Sequence, residues 1–248
     1  CADHENINSI TIQITYCNLE TEEIRRLKQD KTREELEEWF QGLIHEYVKW
    51  AKYLYHHTLR RNESLRELQF PYEYRTGQKE LAVSVYRALA RRRNLFIQAP
   101  TGIGKTLSVV YPSLKSMGNG TGEKLFYLTA KTITGSVAEN CFSLLRRQGM
   151  LFTTVTVTAK EKLCPMEKTE CNPDACPCAK GHFDRVNDAV FDIIHEQQGI
   201  TREILLQYAD RYQVCPFEFC LDISSWADGI ICDYNYVFDP NVRLKRYF

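Results

Sequence analysis

The sequence predicts an α/β fold with a parallel sheet, and two patterns support this prediction. Apolar segments alternate with helical segments between Leu95 and Thr158, in the order strand, helix, strand, helix, strand. A loop with two glycines, ending in Gly-Lys-Thr, stands between the first strand and the first helix. Such alternation is typical of a parallel sheet whose strands are joined by right-handed crossover helices.

Each element of this alternation follows from apolar runs and turn residues. The first strand is Leu95-Phe96-Ile97, and the helix after the loop is expected to end near Met117. A glycine-rich turn over 118–122 leads into a buried strand at 124–128. A helix over about 136–147 and a strand over 152–158 follow, and strand character returns at 229–232.

Upstream of the alternation the sequence predicts one strand and two helices. Isoleucines and polar residues alternate from Ile10 to Tyr16, which is typical of a half-buried strand. Thr32-Arg33-Glu34-Glu35 has the form of a capping box and predicts a long amphipathic helix that ends near Leu59. A further helix is expected from about Gly77 to Arg92. These residues therefore form a helical segment in front of the sheet.

Composition limits the classes of protein to which the chain can belong. Of 248 residues, 44% are hydrophobic, and the 32 basic residues balance the 32 acidic ones, so net charge indicates no partner. No apolar run approaches the roughly 18 residues needed to span a bilayer, and no secretory signal is recognised. We therefore expect no membrane partner and a cytoplasmic location, where ten cysteines favour metal binding over disulfides.

The loop that ends in Gly-Lys-Thr predicts a nucleoside triphosphate site. Its glycines allow successive backbone N–H groups to face a phosphate, and the helix that follows adds its positive end. Lys105 is expected to reach the β and γ oxygens of ATP, and Thr106 to join the Mg²⁺ shell. Ala99 stands where the strict pattern has glycine, so the match is to a variant. The predicted contacts are Thr101, Gly102, Ile103, Gly104, Lys105 and Thr106.

Six cysteines lie close together in the second half of the chain. They are Cys164, Cys171, Cys176, Cys178, Cys215 and Cys220. Four thiolates suit either structural zinc or an iron–sulfur cluster, and spacing leaves both open, together with a cluster that binds no metal. No C-x2-C pair occurs, and Cys164, Cys171, Cys176 and Cys215 give the irregular pattern C-x6-C-x4-C-x38-C. The remaining Cys1, Cys17, Cys141 and Cys232 are expected to be small core residues.

Several separate stretches together resemble the XPD/DinG family of superfamily 2 helicases, over about residues 70–240. Tyr72–Gln78 resembles the motif whose glutamine reads adenine, and Ala99–Thr106 resembles the family's phosphate loop. Tyr127–Thr132 stands where family members contact single-stranded DNA. Three further stretches resemble the lead-in to the first iron–sulfur ligand, the fourth ligand and the segment before the Asp-Glu-Ala-His box: Lys160–Cys164, Cys215–Phe219 and Asp233–Pro240.

The resemblance implies a RecA-like P-loop sheet with an inserted iron–sulfur subdomain, and an ATP-dependent DNA helicase for DNA repair. The implied cofactors are ATP, Mg²⁺ and a 4Fe–4S cluster, and the implied partner is single-stranded or forked DNA, travelled 5′ to 3′ by a monomeric, nucleoid-associated protein of bacterial type. The implied cluster ligands are Cys164, Cys171, Cys176 and Cys215. Cys176 is preferred to Cys178 because the stretch after it resembles the family's third-ligand sequence. The implied nucleotide contacts before the loop are Tyr72, Arg75 and Gln78, and the implied DNA contacts are Thr129, Lys131, Thr132 and Lys160.

The resemblance to this family also predicts how the chain is divided into domains. A strand in residues 1–17 is the expected tail of a nuclease-like module, and a helical linker follows over 18–69. The first motor domain occupies 70–163, is interrupted by the iron–sulfur insertion over 164–215 and resumes over 216–248.

The motif for ATP hydrolysis is expected to be incomplete, because Tyr234 follows Asp233 where an acidic partner is needed. The chain therefore reads as the N-terminal portion of a helicase, inactive in hydrolysis by itself. Two alternatives are a P-loop enzyme of another class, such as a kinase, and a zinc-stabilised nucleic-acid-binding P-loop module without helicase activity.

Overall fold

The structure is a computed structural model that describes residues 7–100, 102–130 and 132–247, with the backbone alone for 132–134. The strands are β1 Ser9–Cys17, β2 Ile24–Thr32, β3 Leu125–Thr129, β4 Thr154–Thr156, β5 Gly199–Ile200 and β6 Gly229–Asp233. The helices are α1 Arg33–Glu67, α2 Gln78–Ala90, α3 Lys105–Gly118, α4 Thr132–Arg146, α5 Lys160–Leu163, α6 His182–Glu196, α7 Arg202–Tyr212, α8 Pro216–Trp226 and α9 Asn235–Phe238, followed by a 3-10 turn at Lys245–Tyr247. Within these ranges no helix is long and apolar enough to cross a membrane.

The chain divides into two compact units, Cys1–Thr58 and Leu59–Phe248. In the first unit β1 and β2 form an antiparallel hairpin that pairs Ser9 with Thr32 and Cys17 with Ile24. The predicted capping box is confirmed at the start of α1. The Thr32 N–H donates to Glu35 Oε2 at 2.9 Å, and the Glu35 N–H donates to Thr32 Oγ1 at 3.2 Å.

Two sequence predictions about this hairpin are wrong. All nine residues of β1 are exposed, so it is not half-buried, because a two-stranded ribbon has no second layer to cover either face. Residues 24–32 form a strand, although they were expected to lie in a helical segment. The turn between β1 and β2 explains why residues 24–32 form a strand. Asn18 Oδ1 accepts the backbone N–H groups of Glu20 and Thr21, which reverses the chain and brings β2 alongside β1.

The second unit confirms the α/β prediction with a parallel four-stranded sheet in the order β3-β6-β4-β5. The inner strand β6 has a buried Gly-Ile-Ile-Cys run, as expected for a strand with neighbours on both sides and helices on the faces. The first residue of this strand is Gly229. Glycine is favoured at this position because a Cβ there would lie 2.6 Å from Phe152 Cε1. The strands predicted at 124–128 and 229–232 are therefore present, and the strand predicted at 152–158 is shorter.

The core of the second unit lies where the last turns of α1, together with α3 and α4, pack on the sheet. Leu65, Leu114, Phe142 and Phe152 are fully buried, and the two phenylalanine rings stack with centroids 5.8 Å apart. A buried ion pair at the edge of this core joins Arg61 Nη1 to Asp228 Oδ1 at 2.8 Å. Since the other oxygen of this carboxylate accepts the Thr153 N–H, the pair fixes the end of α1 to the entry of β6.

The strand predicted at Leu95-Phe96-Ile97 is wrong. Residues 93–100 have no regular secondary structure, and the Phe96 side chain is 95% exposed. A strand needs a neighbour for its backbone hydrogen bonds, and among the described residues β3 pairs with β6 alone. The apolar run is therefore not part of the sheet. The helix after the loop, α3, is confirmed at nearly its predicted bounds.

Candidate nucleotide site and cysteine-bearing region

The phosphate loop has the backbone conformation that its glycines predict. Gly102 and Gly104 adopt left-handed φ angles of 83° and 77°, which other L residues rarely adopt. Helix α3 begins at Lys105, directly after Gly104, so its positive end lies at the loop. Thr101, a predicted contact, lies outside the described residues. The loop and helix end thus form the kind of site that binds phosphate.

Arg75, just before α2, and Gln78, its first residue, bind the backbone of this loop through their side chains. Arg75 Nη1 donates to Gly102 O at 3.0 Å, and Gln78 Nε2 donates to Ile103 O at 2.7 Å. Gln78 Oε1 also accepts the Arg75 N–H at 2.8 Å, and the glutamine is 5% exposed. A Cβ on Gly104 would lie 2.6 Å from Gln78 Nε2, so glycine is needed there for space as well as for φ. Both polar atoms of the Gln78 amide are engaged by protein backbone.

Lys105 and Thr106 stand at the start of α3, as the motif requires. The Lys105 ammonium donates to Ala99 O at 3.0 Å and to Pro100 O at 2.8 Å, so the side chain folds back over its own loop. Thr106 Oγ1 lies 3.5 Å from Tyr127 Oη. The charged nitrogen therefore rests on two neutral carbonyl oxygens, which are weaker partners for a cation than phosphate oxygens.

A cavity of about 710 Å³ opens beside the loop, within the range of sizes that hold small ligands. The predicted residues Tyr72, Arg75, Gln78, Gly104, Lys105 and Thr106 line it. The opposite wall comes from α4 and the turn after it and includes Asn140 and Arg147, neither of which the sequence analysis identified. The seven-residue spacing that puts these two on one helical face is the only sequence signal that could have found them.

A second cavity of about 440 Å³ lies where β3, β4 and β6 end. Thr129, a predicted DNA contact, lines it together with Lys162, Arg202 and Asp233. Asp233 Oδ1 accepts the Asn235 N–H at 2.9 Å and so holds the turn after β6. Lys131 lies outside the described residues, and so does the side chain of Thr132. Two of the four predicted DNA contacts are thus described, Thr129 here and Lys160 among the cysteines.

Five cysteines of the second unit lie near one another. Burial raises the pKa of the Cys178 thiol, and the nearby Cys176, Cys215 and Cys164 raise it further. Burial also raises the pKa of Cys215, with a smaller contribution from Cys171. In the described parts of the chain no three His, Cys, Asp or Glu side chains are grouped as a site for a metal ion. The thiols are thus close enough to affect one another's pKa but are not grouped as a metal site, and the iron–sulfur cluster stays a prediction.

The remaining cysteines divide between core and surface. Cys220 is fully buried on α8, and burial raises its pKa to about 12. Cys141 and Cys232 are buried, as predicted for small core residues. The same prediction is wrong for Cys17, which is exposed because β1 has no covering layer, and Cys1 lies outside the described residues.

Lys160, a predicted DNA contact, stands among the cysteines. A hydrogen bond with Cys171 is the largest cause of its raised pKa. Its ammonium lies 5.8 Å from the centroid of the Phe217 ring, which is a cation–π distance. The side chain thus links the turn before Cys164 to the start of α8.

Sequence reasoning also missed His182, the first residue of α6. The Cys215 N–H donates to its Nδ1 at 3.2 Å, and burial lowers its pKa, so the ring is held neutral. Its Nε2 lies 3.9 Å from Asp222 Oδ2. No local motif marks this residue, because the partner that it contacts is 33 positions away.

Comparison with known proteins confirms the resemblance seen in the sequence. Residues 147–247 match the DEAD_2 family model. A regulator of telomere elongation helicase 1 homolog from Caenorhabditis briggsae is 24% identical over 229 residues, which cover 74% of this chain and 23% of that protein. A probable ATP-dependent helicase from Methanocaldococcus jannaschii is 43% identical over 47 residues, or 18% of this chain and 7% of that protein.

Among solved structures, an XPD helicase matches 68% of this chain and 29% of its own, at 19% identity and a TM-score of 0.47. The chain spans less than a quarter of the length of the curated relatives that it matches. The DEAD_2 match and the two helicase relatives show that parts of this chain are similar to known helicases.

Proposed function

We propose, from this similarity, that the chain is the ATP-binding part of an XPD-like DNA helicase. The observation that carries the proposal is the phosphate loop. Gly104, which is left-handed, and Lys105 and Thr106 at the start of α3 line one end of a cavity of about 710 Å³. In the intact protein, ATP closure between two motor domains would move the enzyme along DNA, 5′ to 3′ by family resemblance.

Nucleotide binding follows from groups already in place. When a nucleoside triphosphate binds, its phosphate oxygens would replace the Ala99 and Pro100 carbonyl oxygens as partners of the Lys105 ammonium. Charged phosphate oxygens are stronger partners for a cation than neutral carbonyl oxygens. Thr106 supplies a hydroxyl for Mg²⁺, and Tyr72, which is exposed at the cavity, supplies a ring for stacking on the base. Arg75 and Gln78 hold the loop through the carbonyls of Gly102 and Ile103.

A 4Fe–4S cluster fits the thiols of the second unit. Each cysteine of such a cluster binds a different iron, so its ligands need not converge on one point as those of a single ion do. Cys164, Cys171, Cys176 and Cys215 would hold the cluster, which supplies a rigid cross-link between distant segments of the chain. Burial raises the pKa of Cys215, and the Glu218 and Phe217 N–H groups that bond to its sulfur oppose this rise in part.

Single-stranded or forked DNA is the proposed substrate along which the helicase moves. Thr129, at the end of β3, lines the second cavity, and Lys131 and Thr132 follow it directly in sequence. Lys160 carries a positive charge close to the same side of the sheet, at the start of α5 after β4. Contacts of this type are to phosphates, so the affinity for single strands should fall steeply with salt and vary little with sequence.

Lys105→Ala tests the phosphate loop. We expect the affinity for ATP to fall about a hundredfold, because the loop loses its cation, while the circular dichroism spectrum stays that of the wild type. Lys28→Ala, an exposed lysine on β2, is the matched control and should bind ATP normally. Wild-type ATP affinity in Lys105→Ala would refute this assignment. Rapid hydrolysis by the wild-type chain would instead refute the expectation that the chain alone is inactive in hydrolysis.

Metal content tests the cysteines. Protein purified without oxygen should be brown, with iron and sulfide in equal amounts and little zinc. Cys176→Ser should bleach it, whereas Cys178→Ser should leave the colour. Colourless protein with one zinc per chain would replace the cluster by a zinc site, and bleaching by Cys178→Ser instead would exchange the two residues as ligands.

A further inference from the structure

We propose that His182 is a positioning residue that holds Cys215 in place for metal binding. It would do so by accepting the Cys215 backbone N–H at Nδ1. The inference rests on the proposed cluster and deepens it, since it names how the last ligand is oriented. Residues that hydrogen-bond to a metal ligand without binding the metal themselves strongly affect metal affinity.

The imidazole is buried at a junction between two cysteine-bearing segments. It is 3% exposed, and the Cys215 N–H lies 3.2 Å from its Nδ1. The turn that carries Cys176 ends at this residue. Cys176 O accepts the N–H groups of Ala179 and Lys180, and Ala179 O accepts the His182 N–H. One residue therefore joins the turn of the third ligand, through its backbone, to the fourth ligand, through its ring.

The protonation state of the ring follows from this bond. Because Nδ1 accepts a hydrogen bond, the proton of the neutral ring is on Nε2. Nε2 is the one buried side-chain nitrogen or oxygen without a hydrogen-bond partner in the described parts of the chain. Its nearest carboxylate oxygen, on Asp222, is 3.9 Å away. A buried polar atom left unpaired is unfavourable, so the ring is not explained by packing, which an apolar side chain would satisfy better.

A second side chain one turn along α6 supports the same junction. Arg185 Nε donates to Tyr212 O at 3.0 Å, and its Nη2 donates to Gln213 O at 2.6 Å and to Lys180 O at 2.9 Å. The arginine thus binds the segment just before Cys215 and the turn just after Cys178. His182 adds the bond to Cys215, the proposed metal ligand. The first turn of α6 therefore holds together the turn after Cys178 and the segment before Cys215.

The experiment compares two substitutions of His182 by residues with a side-chain amide. The two amides differ in where they place a hydrogen-bond acceptor. His182→Asn places an oxygen near the position of Nδ1, and His182→Gln places its amide near the position of Nε2. His195→Gln, at the exposed far end of the same helix, is the control. Iron, zinc and sulfide per chain, visible absorption and the rate of metal release to a chelator are measured on anaerobically purified protein.

We expect His182→Asn and the control to retain wild-type metal content. His182→Gln should retain less than a fifth of it, or release it about ten times faster. ATP affinity should be the same in all four proteins, which shows that the phosphate loop remains folded. Equal metal retention in His182→Asn and His182→Gln would overturn the positioning role while leaving the cluster intact. A wild-type protein without metal would overturn the cluster and the positioning role together.

Discussion

The phosphate loop, residues 95–106, and the cysteine-bearing region, residues 160–226, are held in place by different kinds of interaction. The loop is exposed, and Lys105 bonds to its carbonyls six and five positions away, while Arg75 and Gln78 bond to Gly102 O and Ile103 O, 27 and 25 positions away. The cysteines lie on turns between helices whose apolar faces are buried, and the bond that fixes Cys215 spans 33 positions. A motif therefore identifies the first site, whereas the second depends on packing.

One substitution made in both regions gives the largest expected difference. Phe219 on α8 is fully buried, and Phe96 is 95% exposed. Phe219→Ala should lower the free energy of unfolding by about 3–5 kcal/mol, because it leaves a cavity. Phe96→Ala should change it by less than about 0.5 kcal/mol. Urea unfolding followed by circular dichroism measures both.

The reverse ranking would break the comparison. A large loss of stability in Phe96→Ala would mean that the apolar run pairs with the sheet in solution, contrary to its exposure here. A small loss in Phe219→Ala would mean that α8 does not need the core to position the cysteines.

Gln78→Leu has the next largest expected effect, on the loop alone. Removing the amide costs the loop its bond at Ile103 O and also frees the N–H of Arg75, whose side chain holds Gly102 O, so the loop should bind phosphate about tenfold more weakly. If Gln78 holds the loop, ATP, GTP and inorganic triphosphate should weaken equally by titration calorimetry. A loss confined to ATP would show that the amide reads adenine, as the sequence analysis expected. Gln41→Leu, on the exposed part of α1, is the control.

Cys220→Ala should have a smaller effect than Phe219→Ala or Gln78→Leu. Burial raises the pKa of this thiol to about 12, so at neutral pH it is protonated, and the thiolate that a metal requires forms only as the pH approaches that value. We expect unchanged iron content and a loss of about 1 kcal/mol in unfolding free energy from the lost packing. Cys215→Ala should lose the metal under the same conditions. Loss of iron in Cys220→Ala would make this buried residue a ligand and would change the proposed set.

The sequence by itself determined the features that depend on neighbours in the chain. The capping box at Thr32, the left-handed glycines of the phosphate loop and the start of α3 at Lys105 are all where the motifs predict them. Each depends on bonds that reach only a few residues, or on a backbone angle that only glycine readily adopts. The parallel order of the sheet followed from the alternation of strands and helices.

Tertiary structure decided the rest. Leu95–Ile97 has strand composition but no pairing partner, and β1 alternates like a half-buried strand but has no covering layer. Asn140 lines the cavity beside the phosphate loop from a helix further along the chain, and His182 reaches Cys215 across 33 positions. Hydrogen bonding between strands and burial against another layer are properties of pairs of segments, and a local pattern specifies only one member of each pair.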